Sequence, residues 1–266
     1  MEKNIIFCFT GTGNSLKASK DIAASLENCD VLPMGKASDA IGVSEYKRIG
    51  FVFPVYFLGL PLRVREFIDG LRVQPNCTGY FFAIGTYGNI YGNAVGQANA
   101  LLRRKGKKLS YAANLNMRDN AITFYDRKQD LDKLTASYRR DMTDLIAAIG
   151  ACRTKRIGRS FWLADVYHRA LIAGVPNRDA GYQVSDACTQ CGVCAKVCPV
   201  RNIKMDGKPN FFHHCEQCMA CIQLCPSKAI DYKGKCENRV RYKNPDTGLG
   251  ELIAFQKAPL LTNEPV

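Results

Sequence analysis

A short tandem repeat of cysteines limits what this chain can fold into more than any other feature of its sequence. Eight of the 13 cysteines lie between positions 188 and 225, in two runs with the spacing C-x2-C-x2-C-x3-C-P. The first run is CTQCGVCAKVCP from Cys188, and the second is CEQCMACIQLCP from Cys215. Three thiols spaced by two residues can curl around one side of a metal-sulfur group, and the proline stops a helix from continuing. Since reduced intracellular thiols rarely form disulfides, the runs predict a metal or redox site.

The repeated run resembles the ligand pattern of bacterial two-cluster ferredoxins, in which the fourth cysteine of each run binds the other cluster. This resemblance implies two [4Fe-4S] clusters in one small α+β domain. Cluster I is expected at Cys188, Cys191, Cys194 and Cys225, and cluster II at Cys215, Cys218, Cys221 and Cys198. The alternative is a pair of structural zinc sites, because CxxC pairs are their commonest signature, although recurring triplets with a Cys-Pro ending favour clusters. His213 and His214 adjoin Cys215, but eight thiolates already satisfy two clusters.

The first 150 residues alternate short apolar runs with amphipathic stretches, as strands and crossover helices do in a parallel sheet. Four apolar runs predict buried strands at 5–9, 49–53, 80–84 and 109–115, and a weaker strand is predicted at 31–32. Helices are predicted at 15–26, 62–71 and 94–104, and a fourth follows from apolar residues between Leu131 and Ile149 at helical spacing. The expected fold is α/β, with a doubly wound sheet of five parallel strands.

A small polar loop joins the first predicted strand to the first predicted helix, with the sequence TGTGNS at positions 10–15. Its hydroxyls, small residues and backbone amides can surround a phosphate at the helix N-terminus. The loop lacks the third glycine of a dinucleotide fingerprint and the Lys-Ser/Thr ending of a Walker loop. The alternative is an ordinary strand-to-helix turn.

The loop also resembles the FMN-phosphate loop of flavodoxins, and the order of strands and helices is similar to that fold. The resemblance implies FMN at the switch point of the sheet, between the loops that follow the first, third and fourth strands. Tyr56 or Tyr87 could stack on the flavin ring, or either could pack at the rim. The expected FMN-binding residues are Thr10, Gly11, Thr12, Gly13, Asn14, Ser15, Pro54, Val55, Tyr56, Phe57, Thr86, Tyr87 and Gly88.

From about Ile5 to about Pro245, the chain is similar to fused proteins of anaerobes that join a flavodoxin-like domain to a two-cluster ferredoxin. We therefore expect a flavodoxin-like domain at 1–150, a basic and helical connector at 151–181, a ferredoxin-like domain at 182–245 and a tail at 246–266. The segment Met117-Arg118-Asp119-Asn120-Ala121 departs from the family's Met-Pro-x-Asn-Tyr stretch at Arg118 and Ala121.

Lys and Arg outnumber Asp and Glu by 37 to 24, with an excess in both halves of the chain. Such a surplus can attract nucleic acid, an anionic membrane or an acidic protein. We find no nucleic-acid-binding motif, and the apolar run Ile5–Phe9 is too short for a signal peptide or a membrane span, so we expect a cytoplasmic protein. Six basic residues between Lys228 and Lys243 suggest an acidic redox partner, a ferredoxin or a flavodoxin, unless they only solvate the surface.

A cluster changes its state by one electron, whereas FMN exchanges one or two. The sequence therefore predicts an electron-transfer flavo-ferredoxin, in which electrons pass from a low-potential donor through the clusters to FMN. The alternative is an enzyme whose flavin reduces a small substrate, such as a quinone, a nitro compound or free flavin. The absence of a catalytic triad, acid-base pair or nicotinamide fingerprint in the sequence favours a carrier or reductase component.

Overall fold

The computed structural model of the protein describes residues 2–35, 42–125, 129–158 and 162–258. Arg159 and Phe161 of the predicted connector and residues 259–266 of the predicted tail lie outside the described residues.

The N-terminal half contains a sheet of five parallel strands in the order β2-β1-β3-β4-β5. This is the flavodoxin-like order of doubly wound sheets, with the switch point between β1 and β3. All five predicted strands are confirmed, and the last begins two residues later than expected. Their bounds are β1 Lys3–Cys8, β2 Cys29–Pro33, β3 Tyr46–Pro54, β4 Tyr80–Tyr87 and β5 Tyr111–Asn116.

Four helices cover the two faces of this sheet, as the periodicity predicts: α1 Asn14–Ala24, α2 Leu62–Gly70, α3 Ala94–Arg104 and α4 Leu131–Gly150. Alternate side chains of a strand point to opposite faces, so Ile5 and Phe7 pack with α2 and α3, whereas Ile6 packs with α1 and α4. The polar loops at the carboxyl ends of the strands are thereby left at one edge of the sheet.

The cysteine runs belong to a small α+β unit. It has two antiparallel strand pairs, one between β6 (Tyr182–Val184) and β9 (Ile230–Tyr232) and one between β7 (Ile203–Asp206) and β8 (Lys208–Phe211). Each cysteine run carries one short helix, α6 (Val193–Lys196) or α7 (Ala220–Gln223). The fold is therefore a flavodoxin-like sheet followed by a ferredoxin-like unit.

Two further segments join these parts. Helix α5 (Trp162–Ile172) and a 3-10 helix (Pro176–Gly181) lie between them in the chain, and helix α8 (Leu249–Lys257) follows the second unit. Leu252 of α8 is fully buried in a cluster that also contains Leu16 of α1 and Cys218 of the second cysteine run. The C-terminal helix, for which the sequence analysis made no prediction, therefore returns to the first unit.

None of the helices in the described ranges has both the length and the apolar character required to cross a bilayer.

Candidate functional site

The polar loop turns the chain from β1 into α1 at the carboxyl end of the sheet. Gly13 has a φ of 101°, a left-handed conformation that favours glycine, and its amide donates to Thr10 Oγ1 at 3.2 Å. The hydroxyls of Ser15 and Thr86 are 2.8 Å apart, which ties this loop to the end of β4. The first turn of α1 follows directly, and the leading amides of a helix have no partners within the helix. The loop thus presents buried hydroxyls and amides to one point.

Two distant segments hold the loop in place. Asn120 Nδ2 donates to Thr12 Oγ1 at 3.0 Å, and Asn14 Nδ2 donates to the Arg118 carbonyl at 2.9 Å. On the other side, Asn14 Oδ1 accepts from the Tyr242 hydroxyl at 2.6 Å and from Asn244 Nδ2 at 3.0 Å. The segment 117–121 therefore contacts the loop despite its departure from the family pattern, and Tyr242 and Asn244 hold it from the other side.

A cavity of about 590 Å³ opens beside this loop. Its volume is within the usual range of sites for a cofactor-sized ligand. Its walls are the loops after β1, β3, β4 and β5, helix α5, and two residues of the second cysteine run, Gln217 and Met219. Among the predicted FMN-binding residues, all but Gly13 line it: Thr10, Gly11, Thr12, Asn14, Ser15, Pro54, Val55, Tyr56, Phe57, Thr86, Tyr87 and Gly88.

Aromatic side chains surround the open part of the cavity. The Tyr87 ring meets Tyr91 edge to face at 5.5 Å between centroids, and Phe57 meets Phe124 in the same way at 5.9 Å. The Arg178 guanidinium lies over the Phe57 ring at 5.2 Å. The sequence analysis missed Phe124 and Arg178. Neither residue belongs to a recognisable motif, and they are 54 positions apart in the chain.

Tyr56 lies between this cavity and the cysteine-rich unit. Its ring packs edge-on against Phe9 at 6.4 Å, and its hydroxyl is buried without a partner among the described residues. Burial raises the pKa of Tyr56 well above its usual value, and the nearby Cys218 and Glu216 add to the increase. The Tyr56 hydroxyl is therefore a neutral group that is available to a ligand.

Helix α5 supports the turn that follows Tyr56. Phe57 and Leu58 both have positive φ, 50° and 65°, a strained conformation for residues with side chains. His168 of α5 is fully buried, and its Nδ1 lies 3.2 Å from the Phe57 carbonyl. Gly59 lies so close to this ring that an added Cβ would be 2.5 Å from it. Burial lowers the pKa of His168, so the ring packs there in its neutral form.

Four cysteines line one small enclosed cavity, Cys198 from the first run and Cys215, Cys218 and Cys221 from the second. The same four residues form the grouping that the exchanged fourth cysteine predicts for cluster II. The Asn202 amide donates to Cys198 Sγ and the Gln217 amide to Cys215 Sγ, each at 3.2 Å. Buried thiols with amide donors fit an iron-sulfur cluster, because such bonds to sulfur are a recognised determinant of cluster potential.

The other four cysteines also lie together, in a more open position. Burial raises the pKa of Cys194 to about 11, and the adjacent Cys225, Cys188 and Cys191 contribute to the shift. Cys191 is exposed, and Cys225 Sγ accepts from the Ala229 amide at 3.3 Å. Within the described ranges, no three His, Cys, Asp or Glu side chains have the arrangement of a site for a single metal ion.

The polar loop and the cluster II cysteines are in direct contact. An added Cβ at Gly11 would lie 2.6 Å from the Cys218 carbonyl oxygen, and Asn120 Nδ2 also donates to that oxygen at 3.4 Å. Glycine at position 11 is therefore required by packing as well as by the expected approach to a phosphate, since a side chain there would displace the cysteine run. This contact joins the two predicted cofactor sites without an intervening layer of protein.

Glu216 provides a second connection between the two units. Its carboxylate accepts from the Leu62 amide at 3.0 Å and the Arg63 amide at 2.5 Å, at the N-terminus of α2. Burial raises the pKa of Glu216 to about 7, although the two amides and the Arg63 charge oppose the shift. A residue of the cysteine run thus caps a helix of the flavodoxin-like sheet.

A larger depression, of about 1010 Å³, lies at the opposite end of the sheet. Its lining contains Arg103, Lys107, Lys108, Lys155 and Arg156, and no acidic residue of the described chain lines it. No residue of the cysteine runs or the polar loop lines it, and we regard it as a basic surface rather than part of the cofactor site.

Comparison with known proteins identifies the cysteine-rich part of the chain. Residues 180–226 match the model of the 4Fe-4S dicluster domain, which shows an iron-sulfur domain there. No curated protein sequence matches the chain.

Among solved structures, the chain is similar to a two-electron reduced flavodoxin of Megasphaera elsdenii, with 17% identity over 44% of this chain and 88% of that one and a TM-score of 0.35. A flavodoxin of Streptococcus pneumonia TIGR4 has 16% identity over 56% and 99%, with a TM-score of 0.36. An azoreductase of Bacillus anthracis has 13% identity over 56% and 98%, with a TM-score of 0.39. The fold assignment rests on the strand order rather than on these scores.

Proposed function

We propose that this protein transfers electrons between iron-sulfur clusters and FMN within one chain. The observation that carries the proposal is the contact between Gly11 of the polar loop and Cys218 of the cluster II group. An iron-sulfur domain and a flavodoxin-like sheet together support an electron-transfer or oxidoreductase role at this coarse level. The residue assignments and the route that follow belong to the proposal, as does the division into domains at 1–150, 151–181, 182–245 and 246–266.

The proposed ligands of cluster I are Cys188, Cys191, Cys194 and Cys225, and those of cluster II are Cys198, Cys215, Cys218 and Cys221. The enclosed cavity among the last four supports the second set. The exposure of Cys191 and the burial of Cys218 and Cys221 support an order in which cluster I faces the donor and cluster II faces the flavin. Electrons from a low-potential donor would then enter at cluster I.

The proposed FMN site is the cavity beside the polar loop. Thr10, Thr12 and Ser15 would hold the phosphate with the leading amides of α1, and residues 54–57 and 86–88 would flank the ring. When bound, FMN exchanges one or two electrons and so links the one-electron clusters to either kind of acceptor. The buried hydroxyl of Tyr56 and the walls formed by β3 and β4 would orient the ring and exclude water from its cluster side.

A second candidate is reduction of a small substrate at the flavin. The exposed aromatic side chains at the cavity mouth support it, since Phe124 and Tyr125 there are 45% and 41% exposed. A quinone, a nitro compound or free flavin could stack on such a surface.

The test is anaerobic reconstitution followed by reduction. We expect about eight irons and eight sulfides per chain and one FMN, and we expect reduced ferredoxin to reduce the flavin rapidly only when the clusters are present. The control is the same protein loaded with FMN alone. Two zincs without sulfide would reject the cluster assignment, and equal rates with and without clusters would reject the internal route. Sustained turnover with a quinone or nitro compound would favour the second candidate.

A further inference from the structure

The two cysteine runs have the same spacing but different surroundings. Gln190 of the first run and Gln217 of the second occupy the same position, two residues after the leading cysteine. Both adopt a left-handed backbone, with φ of 57° and 51°. Gln190 is exposed, whereas Gln217 is only 4% exposed. The shared left-handed backbone conformation therefore follows from the cysteine motif. The burial of Gln217 follows instead from the position of the second run beside the cavity at the polar loop.

The residue that follows the second cysteine of each run also differs between the two runs. The first run has Gly192 with φ of 71°, and the second has Met219 with φ of 64°. A left-handed conformation is unfavourable for a residue with a side chain, and glycine avoids that cost. Met219 is nevertheless present, buried, and in the wall of the cavity beside the polar loop. The second run therefore has, in place of glycine, a side chain that lines both this cavity and the cavity among the cluster II cysteines.

The Gln217 carboxamide is the more informative of the two side chains. Neither its nitrogen nor its oxygen has a hydrogen-bond partner among the described residues, and Gln217 lines the same cavity. A buried carboxamide without partners is costly, so such groups are normally satisfied by protein, water or a ligand. It offers two donors and an acceptor, which can complement the carbonyl and ring-nitrogen groups of a flavin.

The neighbours of Gln217 indicate which part of FMN it would meet. The preceding residue, Glu216, binds the Leu62 and Arg63 amides, directly after the loop 54–61 that follows β3. This loop, with Tyr56 and Phe57, is the expected position of the ring, whereas the phosphate belongs at residues 10–15. The following residue, Cys218, contacts Gly11. Gln217 thus lies between the phosphate loop and the ring side of the cavity.

We propose that Gln217 donates or accepts a hydrogen bond at the isoalloxazine ring, so that the cluster II segment forms part of the flavin site; this inference rests on the proposed function. The Gln217 carboxamide would then affect both the affinity of the protein for FMN and the electronic state of the bound flavin. Binding of FMN would then also restrain the segment that carries Cys215 and Cys218, because coupling between two sites is reciprocal.

The test compares Gln217→Leu with Gln190→Leu in the cluster-loaded protein. The control shares the cysteine motif, the left-handed backbone and the change of side chain, but its side chain is exposed. FMN is titrated anaerobically, and the dissociation constant, visible spectrum and midpoint potential of the bound flavin are measured. For Gln217→Leu we expect roughly three- to tenfold weaker binding with a shifted spectrum and potential. We expect wild-type values for Gln190→Leu.

The outcomes separate this inference from the proposed function. If wild-type protein binds no FMN, the proposed function fails and the inference fails with it. If the wild type binds FMN and Gln217→Leu has the same affinity, spectrum and potential, only the inference is overturned. Weaker binding with an unchanged spectrum and potential would also overturn it, since that result places Gln217 at the phosphate or ribityl part. If iron analysis shows that Gln217→Leu does not load clusters, Gln217→Glu is used, with the same expected and contrary results.

Discussion

Thr12 is a buried residue whose hydroxyl already has a protein partner. Its side chain is 1% exposed, and Oγ1 accepts from Asn120 Nδ2, which leaves the hydroxyl proton free to donate elsewhere. Donation to a phosphate would therefore be added to the existing bond rather than replace it. Asn120 lies in the segment that departs from the family pattern. Its side-chain amide donates both to Thr12 Oγ1 and to the Cys218 carbonyl, and so connects the polar loop to the second cysteine run.

We predict that Thr12→Ala weakens FMN binding. Loss of a hydrogen bond to a charged acceptor costs about 1.5 to 3 kcal/mol, which corresponds to roughly 10- to 150-fold in the dissociation constant. Fluorescence titration of cluster-loaded protein with FMN measures the effect. Thr143→Ala is the matched control, because Thr143 is exposed on α4 and its hydroxyl bonds only the Arg139 carbonyl. Unchanged FMN affinity in Thr12→Ala would mean that the phosphate binds elsewhere.

Among the secondary-structure elements, α2 depends on a partner distant in sequence. Its N-cap residue is Pro61, which provides no side-chain cap, and the Glu216 carboxylate takes that role from 153 residues away. The two oxygens of this side chain accept from two amides that would otherwise lack partners within the helix. The cap of this helix is therefore complete only when the cysteine-rich unit is docked against it.

We predict that Glu216→Ala destabilises the iron-loaded protein by about 2 to 4 kcal/mol, because it leaves one buried and one part-buried amide without an acceptor. Glu66→Ala on the same helix is the control. Glu66 is 55% exposed and pairs with Arg63 at 3.3 Å, so its loss should change the free energy of unfolding by less than about 1 kcal/mol. Denaturant unfolding under anaerobic conditions gives both values. Equal effects of the two substitutions would show that the cap between units contributes little.

Across the whole molecule, the positive charge lies on more than one surface. Part of the predicted basic segment is structural, because Arg241 donates to the carbonyls of Ile222 and Ile230, and Lys243 donates to that of Thr247. Lys233 and Lys235 are exposed beside Tyr232 at the end of β9, in the cysteine-rich unit. The depression lined by Lys108 and Arg156 is a separate basic surface at the far end of the sheet.

We predict that an acidic ferredoxin or flavodoxin docks beside the clusters through Lys233 and Lys235. Complementary charge accelerates encounter and is screened by salt, so the Lys233→Glu, Lys235→Glu double variant should be reduced more slowly at low salt and converge with wild type as salt rises. The control is Lys108→Glu, Arg156→Glu, which makes the same change in charge on the other surface. The rate of reduction is measured by stopped flow across a salt series for wild type and both double variants. A larger loss in the control than in the Lys233 pair would move the docking surface to the far depression.

Much of the fold follows from local patterns in the sequence. Apolar runs and helical spacing placed all five strands and four helices of the sheet, because burial of alternate or periodic side chains is a property of each element alone. The resemblance of the repeated cysteine runs to those of two-cluster ferredoxins implied that Cys198 joins Cys215, Cys218 and Cys221, and these four line one cavity. The polar loop was predictable because the end of a strand, small residues and a helix start are adjacent in the chain.

The contacts between the two units follow from no such pattern. Glu216 caps α2, Cys218 packs on Gly11, and helix α8 returns to α1, yet each pair is separated by more than 150 positions. Gln190 and Gln217 have the same local sequence context and backbone, but one is exposed and the other lines the cavity. Local sequence sets the conformation of each glutamine, whereas its burial depends on which surface docks against it, and that surface exists only after the whole chain has folded.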